Sequence, residues 1–216
     1  GGTELADSCK DVNAIAAAYE DVITRYDVTR LDMDVEGRSL GRSDGIDRRN
    51  KALKLVEDWA AAHGRPFQVS YTVPTSASGL EPSGVAILQN AIANGTRVDV
   101  VDIMAFDYYD KVTTDMGTAA INATNGLIAQ LHALYPAKTP AQLDAMVGVT
   151  LMPGLDDYPK KTEVTYRAPL TVACDDIAVP DASDTHNVAH TYAGTPTCDA
   201  KYLSDNDTLT AVRQCA

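Results

Sequence analysis

Helix-type and strand-type apolar patterns alternate along the first two thirds of the chain. Apolar residues at helical spacing predict helices over 11–26, 47–62, 84–94, 115–134 and 140–145. Strand patterns occupy 30–36, 67–73, 98–106 and 147–152. Such alternation is typical of parallel βα units, which build either a doubly wound open sheet or a (β/α)8 barrel. The pattern leaves both open, although the G-x-G-x-x-G turn common in doubly wound sheets does not occur.

Two strand patterns, 98–106 and 147–152, are mostly apolar and are therefore predicted to be covered on both faces. Pro74 is predicted to end the strand over 67–73, because proline has no N–H to donate to a neighbouring strand.

The overall composition restricts the classes of partner. The chain has 216 residues, a formal net charge of −12 and a pI of about 4.6. A surface this acidic repels phosphate backbones, so nucleic acid is not expected to be a partner. No apolar run approaches the roughly 18 residues of a membrane span, and a neutral polysaccharide carries no electrostatic penalty.

The character of the chain changes near residue 158. Residues 159–216 are rich in Asp, Thr, Ala and Pro, with weak periodicity, and contain three of the four cysteines. They are predicted to form an irregular, loop-rich C-terminal extension of a domain over 1–158. An even number of dispersed cysteines fits two disulfides in an oxidising compartment, and buried free thiols fit the count equally well.

The densest functional signal lies on the first strand. Side chains at alternate positions of a strand point the same way, so Asp32, Asp34 and Glu36 are predicted to share one face. Leu31, Met33 and Val35 would share the other. Three neighbouring carboxylates cannot all ionise cheaply, so at least one is expected to have a raised pKa. Such a group can serve as a general acid, and Glu36 lies at the carboxyl end of the strand, where barrel enzymes place catalysis.

Two other interpretations of this acidic face are open. It could be the solvent side of an edge strand, but its apolar opposite face and the glycine after Glu36 favour a functional strand. It could also bind a divalent metal ion through clustered carboxylates, although no phosphate-binding loop accompanies it. The metal-binding interpretation would make the chain a metal-dependent α/β hydrolase.

The acidic strand resembles the catalytic strand of family 18 chitinases, D-x-x-D-x-D-x-E. Residues 29–36 read T-R-L-D-M-D-V-E, so Asp32, Asp34 and Glu36 match, and Thr29 replaces the first acidic residue. The resemblance covers roughly residues 1–158. It implies a TIM-barrel-like (β/α) fold, apparently incomplete, in which the four predicted strands correspond to family strands four to seven.

A second family motif, M-x-Y-D followed by an aromatic residue, resembles Met104-Ala-Phe-Asp-Tyr108. Phe106 replaces the tyrosine that normally bonds the substrate acetamido group. The resemblance therefore assigns substrate binding to Met104, Asp107 and Tyr108, and Tyr71 is a further candidate for the missing hydroxyl.

The family's mechanism is substrate-assisted retention, an exception to the two-carboxylate scheme. The resemblance implies that Glu36 protonates the glycosidic oxygen while the substrate's own N-acetyl oxygen attacks the anomeric carbon. Asp34 would orient the acetamido group, and Asp32 would hold Asp34 and tune its proton affinity. No metal or organic cofactor is implied.

The expected activity is therefore that of a secreted chitinase acting on polymers or oligosaccharides of β-1,4-linked N-acetylglucosamine. The alternative is a catalytically weak or inactive, lectin-like chitin-binding module, because the chain has fewer strands than a full barrel. An open barrel would also expose sheet edges, so a homodimer, or coverage of the edges by the tail, is expected.

Overall fold

The structure is a computed structural model that describes residues 4–110 and 116–151. Its helices are α1 Leu5–Ser8, α2 Val12–Tyr26, the 3₁₀ helix η1 Gly37–Gly41, α3 Ser43–Ala62, α4 Pro82–Ala93, α5 Met116–Leu134 and α6 Pro140–Asp144. Its strands are β1 Arg30–Asp34, β2 Gln68–Ser76, β3 Gly79–Leu80, β4 Val100–Met104 and β5 Val147–Thr150. Among these described residues, no helix is long and apolar enough to cross a membrane.

The chain divides into two compact units. One comprises residues 1–108 and 120–150 and contains all of the described strands, and the other comprises 109–119 and 151–216. The predicted irregular extension over 159–216, its three cysteines and the domain boundary near residue 158 lie outside the described residues and stay predictions. Cys9 is described as a free thiol that donates to the carbonyl oxygen of Asp11 at 3.6 Å.

Four parallel strands form the sheet in the order β1-β2-β4-β5, and the short β3 pairs antiparallel with β2. The parallel strands therefore follow one another in chain order, without the reversal that creates the switch point of a doubly wound sheet. This order is the one found around a (β/α) barrel. Among the described strands, β1 and β5 are the two ends of the sheet.

One face of the sheet carries the core. The buried side chains alternate along β2 and β4, and the fully covered ones on this face are Val69, Tyr71, Val73, Val101 and Ile103. Helices α2, α3 and α4 pack next to one another along the chain, with Ile15, Leu53, Val56, Ile87 and Leu88 fully buried. The opposite face of the sheet carries polar side chains at the alternate positions.

The helix ends follow the sequence closely. The side chain of Asp11 accepts the backbone N–H of Asn13 and Ala14 and so caps α2. Thr139 and Gln142 form a reciprocal capping box with proline at the first turn of α6.

Helix α3 begins at Ser43, four residues before its predicted start at residue 47. The glycine at position 45 hides this first turn, because glycine disfavours helix interiors. Gly45 is needed there, since an added Cβ would lie 2.1 Å from an Asp7 carboxylate oxygen.

Two strand predictions are wrong. Strand β2 continues through Pro74 to Ser76. The backbone polar groups of Thr72 and Pro74 point toward β1, since the Thr72 carbonyl accepts the Val35 N–H, but β1 ends before it reaches Pro74. No donor is required at Pro74, which pairs with Met104 of β4. Strand β5 is not covered on both faces, since Val149 is 39% exposed.

The packing of α5 against the β2–β3 turn generates a stability prediction. Gly126 lies where an added Cβ would be 1.9 Å from the Ser78 carbonyl oxygen. Gly126→Ala would improve helix propensity, but we expect the clash to dominate and to lower the free energy of unfolding by about 1–3 kcal/mol. Urea denaturation measures the change. Gly41→Ala is the control, because its added Cβ has no neighbour within 4 Å. A Gly126→Ala protein as stable as the parent would contradict this packing.

Candidate active site

The acidic residues of β1 lie on the polar face of the sheet. Met33 and Val35 are 8% and 0% exposed and face the helices, whereas Asp32 and Asp34 are exposed. Glu36 follows the strand in an extended conformation, with φ −133° and ψ 169°, and is half-buried. The alternation continues through it, so the predicted shared face of the three carboxylates agrees with the backbone.

The turn after Glu36 is fixed by two features. Gly37 has φ +52°, a left-handed conformation that glycine adopts without strain. Ser39, in η1, is buried and donates its hydroxyl to the Asp7 carboxylate at 2.5 Å. This contact ties the segment that follows Glu36 to helix α1.

Asp32 is held by both of its oxygens. Oδ1 accepts the Ser70 hydroxyl at 2.5 Å, and Oδ2 accepts the Thr72 hydroxyl at 2.7 Å. Both donors belong to β2, where Ser70 pairs with Asp32 and Thr72 pairs with Asp34 across the sheet. Asp32 is thereby fixed as a hydrogen bond acceptor beside Asp34.

A further carboxylate lies on the same face of β4. Asp102 pairs with Thr72 on one side and Gly148 on the other, and its Oδ2 accepts the Thr150 hydroxyl at 2.6 Å. Burial raises the pKa of Asp102, and the charge of Asp32 adds to the rise, while the hydrogen bond from Thr150 opposes it. Polar side chains thus cross β1, β2, β4 and β5 on one face.

The charges on β1 repel one another. Partial desolvation is the largest cause of a raised pKa at Asp34, followed by the negative charges of Glu36 and then Asp32. The expectation that at least one carboxyl group in this set has a raised pKa is confirmed for Asp34.

The second predicted motif follows β4. Met104 ends the strand on the polar face, opposite Pro74 and Thr150. Asp107 and Tyr108 come directly afterwards and are half-buried, and Asp107 has φ +48°. A non-glycine residue in this region stores strain, which is typical of functional turns. Because β1 and β4 are parallel, these residues and Glu36 lie at the same carboxyl edge of the sheet.

Tyr71 requires a correction. It was predicted to bind substrate, but it is 0% exposed on the helix-covered face, and its hydroxyl donates to Asn50 at 2.6 Å. Its position is one residue out of phase with Ser70 and Thr72, so its side chain points away from the acidic face. Tyr71 is a core residue.

Four polar members of the site are not among the residues predicted from the sequence: Ser70, Thr72, Asp102 and Thr150. Ser70 and Thr72 could have been found from their phase, since polar residues occupy alternate positions in β2. The apolar character of 98–106 concealed Asp102, and no local pattern indicates that Thr150 bonds it. Among the described residues, no group of three or more His, Cys, Asp or Glu side chains is arranged to hold a metal ion.

The chain is similar in sequence to proteins named as chitinases. It is 34% identical over 170 residues to a probable bifunctional chitinase/lysozyme of Escherichia coli, covering 75% of this chain and 19% of that protein. It is also 34% identical over 170 residues to endochitinase 11 of Metarhizium anisopliae, covering 75% of this chain and 32% of that protein. No protein-family model matches the chain.

Solved structures show the same relationship. The catalytic domain of a hyperthermophilic chitinase from Pyrococcus furiosus superposes with a TM-score of 0.64 at 28% identity, covering 73% of this chain and 49% of that one. A catalytic-site mutant of active domain 2 of a thermostable P. furiosus chitinase, complexed with chito-oligosaccharides, gives 0.63 at 27% identity, covering 73% of this chain and 48% of that one. The matched residues thus cover about half the length of these domains. The predicted TIM-barrel-like α/β fold is confirmed, and the described strands do not close a barrel.

The repulsion at Asp34 predicts a pH-dependent stability. A raised folded-state pKa means that stability is fully present below the unfolded pKa and is lost as pH rises through the folded pKa. Asp34→Asn removes this loss. The melting temperature of the variant minus that of the parent should therefore be larger at pH 7 than at pH 3. Thermal melts at the two pH values measure the difference.

Asp47 provides a control of opposite sign. Its hydrogen bond with Lys51 is the largest cause of a lowered pKa, so its carboxylate stabilises the fold at pH 7 and ceases to do so as pH falls through the folded pKa. Asp47→Asn should therefore lower the melting temperature more at pH 7 than at pH 3. Equal shifts at both pH values for Asp34→Asn would contradict the repulsion at that site.

Proposed function

Since the chain is a relative of chitinases, with a partial catalytic domain of the family 18 type, we propose that it provides the acidic residues of a chitin-hydrolysing active site. The observation that carries the proposal is the position of Glu36. It follows β1 at the carboxyl edge of a parallel sheet, on the same face as Asp34 and Asp32. That edge is where barrel enzymes place their chemistry.

Glu36 is the proton donor in this proposal. Its carboxylic acid protonates the glycosidic oxygen, and the sugar's N-acetyl oxygen attacks the anomeric carbon to give an oxazolinium intermediate. Glu36 then takes a proton from the incoming water, which opens the intermediate with retained configuration. The turn at Gly37 and the Ser39–Asp7 hydrogen bond hold the segment that follows Glu36.

Asp34 and Asp32 serve the substrate's acetamido group. Because the pKa of Asp34 is raised, its carboxyl group can hold a proton and share it with the acetamido group. Once ionised, Asp34 offsets the positive charge of the oxazolinium ion. Asp32 keeps its place through the Ser70 and Thr72 hydroxyls and so fixes the environment of Asp34. Met104, Asp107 and Tyr108 line the neighbouring part of the same edge and contact the sugar.

The proposed substrates are chitin and oligosaccharides of β-1,4-linked N-acetylglucosamine. The P. furiosus catalytic-site mutant that resembles this chain is complexed with chito-oligosaccharides. A net charge of −12 disfavours polyanionic polymers and leaves a neutral sugar polymer unaffected. We also propose that the protein is secreted and that two copies pair through the ends of the sheet. The mechanism uses no metal ion or organic cofactor.

The second candidate is a chitin-binding module with little or no turnover. Two replacements favour it, since Phe106 lacks the hydroxyl of the family tyrosine and Thr29 lacks the first carboxylate of the acidic motif. Both changes weaken control of the acetamido group while leaving a sugar-binding edge.

Hydrolysis of a chromogenic N,N′-diacetylchitobioside separates the two candidates. The protein should release the chromophore in the presence of a chelator, and Glu36→Gln should lower kcat by at least about 100-fold, because amides do not donate the required proton. Circular dichroism should show an unchanged fold.

Glu57→Gln is the matched control, since this residue lies on α3 and its Oε1 accepts the Arg97 N–H, a role that an amide oxygen retains. Saturable binding of the sugar without turnover by the parent would favour the binding module. Equal rates for the parent and Glu36→Gln would remove Glu36 from the chemistry, and loss of activity with the chelator would favour a metal-dependent hydrolase.

A further inference from the structure

Asp7, in α1, is the only buried aspartate or glutamate among the residues that the structure describes, and its side chain is 3% exposed. A carboxylate held away from water is costly unless hydrogen bonds or a cation compensate for it. A hydroxyl group and a guanidinium group reach Asp7, and both come from the segment that directly follows Glu36. The burial of Asp7 therefore links α1 to the proposed proton donor.

The two oxygens of Asp7 face different parts of this segment. Oδ2 accepts the Ser39 hydroxyl at 2.5 Å. Oδ1 lies 3.8 Å from Nε of Arg42, the residue that follows η1. The N–H of Arg42 in turn donates to the Ser39 carbonyl oxygen at 3.2 Å. One carboxylate thus holds both the middle of η1 and the residue after it.

Ser39 connects Asp7 to the backbone of Glu36. Its N–H donates to the Glu36 carbonyl oxygen at 3.0 Å, while its hydroxyl donates to Asp7. On the other side of Glu36, the Val35 N–H donates to the Thr72 carbonyl oxygen of β2 at 2.9 Å. The backbone of Glu36 is therefore fixed by the sheet before it and by Ser39 after it.

Helix α1 is itself attached to α3. Arg49 of α3 is 0% exposed and forms an ion pair with Glu4, the residue that precedes α1. Nε of Arg48 donates to the Ala6 carbonyl oxygen at 2.9 Å. Asp7 is carried by a segment that cannot move without breaking these contacts, so it is a fixed point of attachment for η1.

Gly45 leaves the space that the Asp7 carboxylate occupies. An added Cβ at position 45 would lie 2.1 Å from Asp7 Oδ1 and 3.6 Å from the Ala6 carbonyl oxygen. Gly41, in η1, offers a comparison, because its added Cβ would have no neighbour within 4 Å. A side chain at position 45, but not at position 41, would displace the carboxylate.

We propose that Asp7 is a positioning residue for the proton donor: through Ser39 it fixes the backbone of Glu36 and so directs the Glu36 carboxyl group toward the glycosidic oxygen. A hydroxyl that donates to a charged acceptor is held more strongly than one that donates to a neutral oxygen, which suits a carboxylate to this place. The effect on turnover rests on the proposed function, whereas the order that Asp7 imposes on η1 does not.

The first test measures that order without turnover. Ser39→Ala removes the donating hydroxyl, and Asp7→Ala removes the acceptor. Native-state hydrogen exchange of the amides at positions 39 and 42 should be on the order of tenfold faster in both variants, since a hydrogen bond to a charged group is lost. Exchange at these two amides equal to that of the parent, after correction for intrinsic rates, would overturn the proposal.

Thr96→Val is the matched control. Thr96 is also buried, and its hydroxyl donates to the Asn50 carbonyl oxygen at 2.7 Å. It precedes β4, so it lies at the opposite edge of the sheet from Glu36, which follows β1. The control loses a buried hydroxyl donor, as Ser39→Ala does, and should lose stability while exchange at positions 39 and 42 stays unchanged.

The second test uses the chemistry of the leaving group. A nitrophenolate departs with little help from an acid, whereas the sugar alcohol released from an oligosaccharide must be protonated. Ser39→Ala should therefore lower kcat/KM on the order of tenfold for an N-acetylglucosamine oligosaccharide, and much less for the nitrophenyl glycoside of diacetylchitobiose. Thr96→Val should lower neither value. Equal fractional losses on the two substrates would overturn the proposal, because a general loosening of the fold affects both alike.

Three further variants separate positioning from packing. Asp7→Asn keeps an acceptor oxygen for Ser39, so it should recover part of the kcat/KM that Asp7→Ala loses on the oligosaccharide. Gly45→Ala should reproduce the loss, and adding Ser39→Ala to it should cause no further loss, whereas Gly41→Ala should match the parent. An Asp7→Asn protein as impaired as Asp7→Ala, or losses from Gly45→Ala and Ser39→Ala that add fully, would show that Asp7 acts only in packing.

The two proposals fail in different ways. A parent protein that hydrolyses neither substrate would refute the proposed function, and the exchange rates at positions 39 and 42 would still decide whether Asp7 orders the segment that follows Glu36.

Discussion

The two-residue period of the parallel strands determines the rest of this molecule. It sends Met33, Val35 and Tyr71 into a core under the helices and leaves Asp32 and Asp34 on the opposite face. A shift of one residue in any strand would bury carboxylates and expose the core, so the register is strongly specified. The same constraint makes the acidic face a continuous surface across several strands.

That surface is held in place at the cost of electrostatic repulsion. Asp34 and Asp102 both have raised pKa values, because partial burial and neighbouring negative charges disfavour their ionised forms. The hydroxyls of Ser70, Thr72 and Thr150 offset part of this cost by donating to the carboxylates. Repulsion that persists within a well-packed fold is typical of a site kept for function, since natural proteins give up stability there.

The sequence alone predicts most of this architecture, because long periodic helices and the alternation on β1 are local patterns. It also predicts the three carboxylates, since their phase is local. The local phase of β2 also places Tyr71 with Val69 and Val73 on the core face, so its assignment to substrate binding was avoidable, whereas its hydrogen bond to Asn50 is not a local pattern. The roles of Asp102 and Thr150 depend on contacts between strands about 50 residues apart, and no local pattern contains that information.

The acidic face and the carboxyl edge of this sheet together form the proposed sugar-binding surface. A crystal structure of the Glu36→Gln protein with a bound N-acetylglucosamine oligosaccharide would show whether sugar occupies this surface. We expect the acetamido group to lie within hydrogen-bonding distance of Asp34 and the glycosidic oxygen to lie next to residue 36. An oligosaccharide bound against the helices, or none bound at saturating concentration, would contradict it.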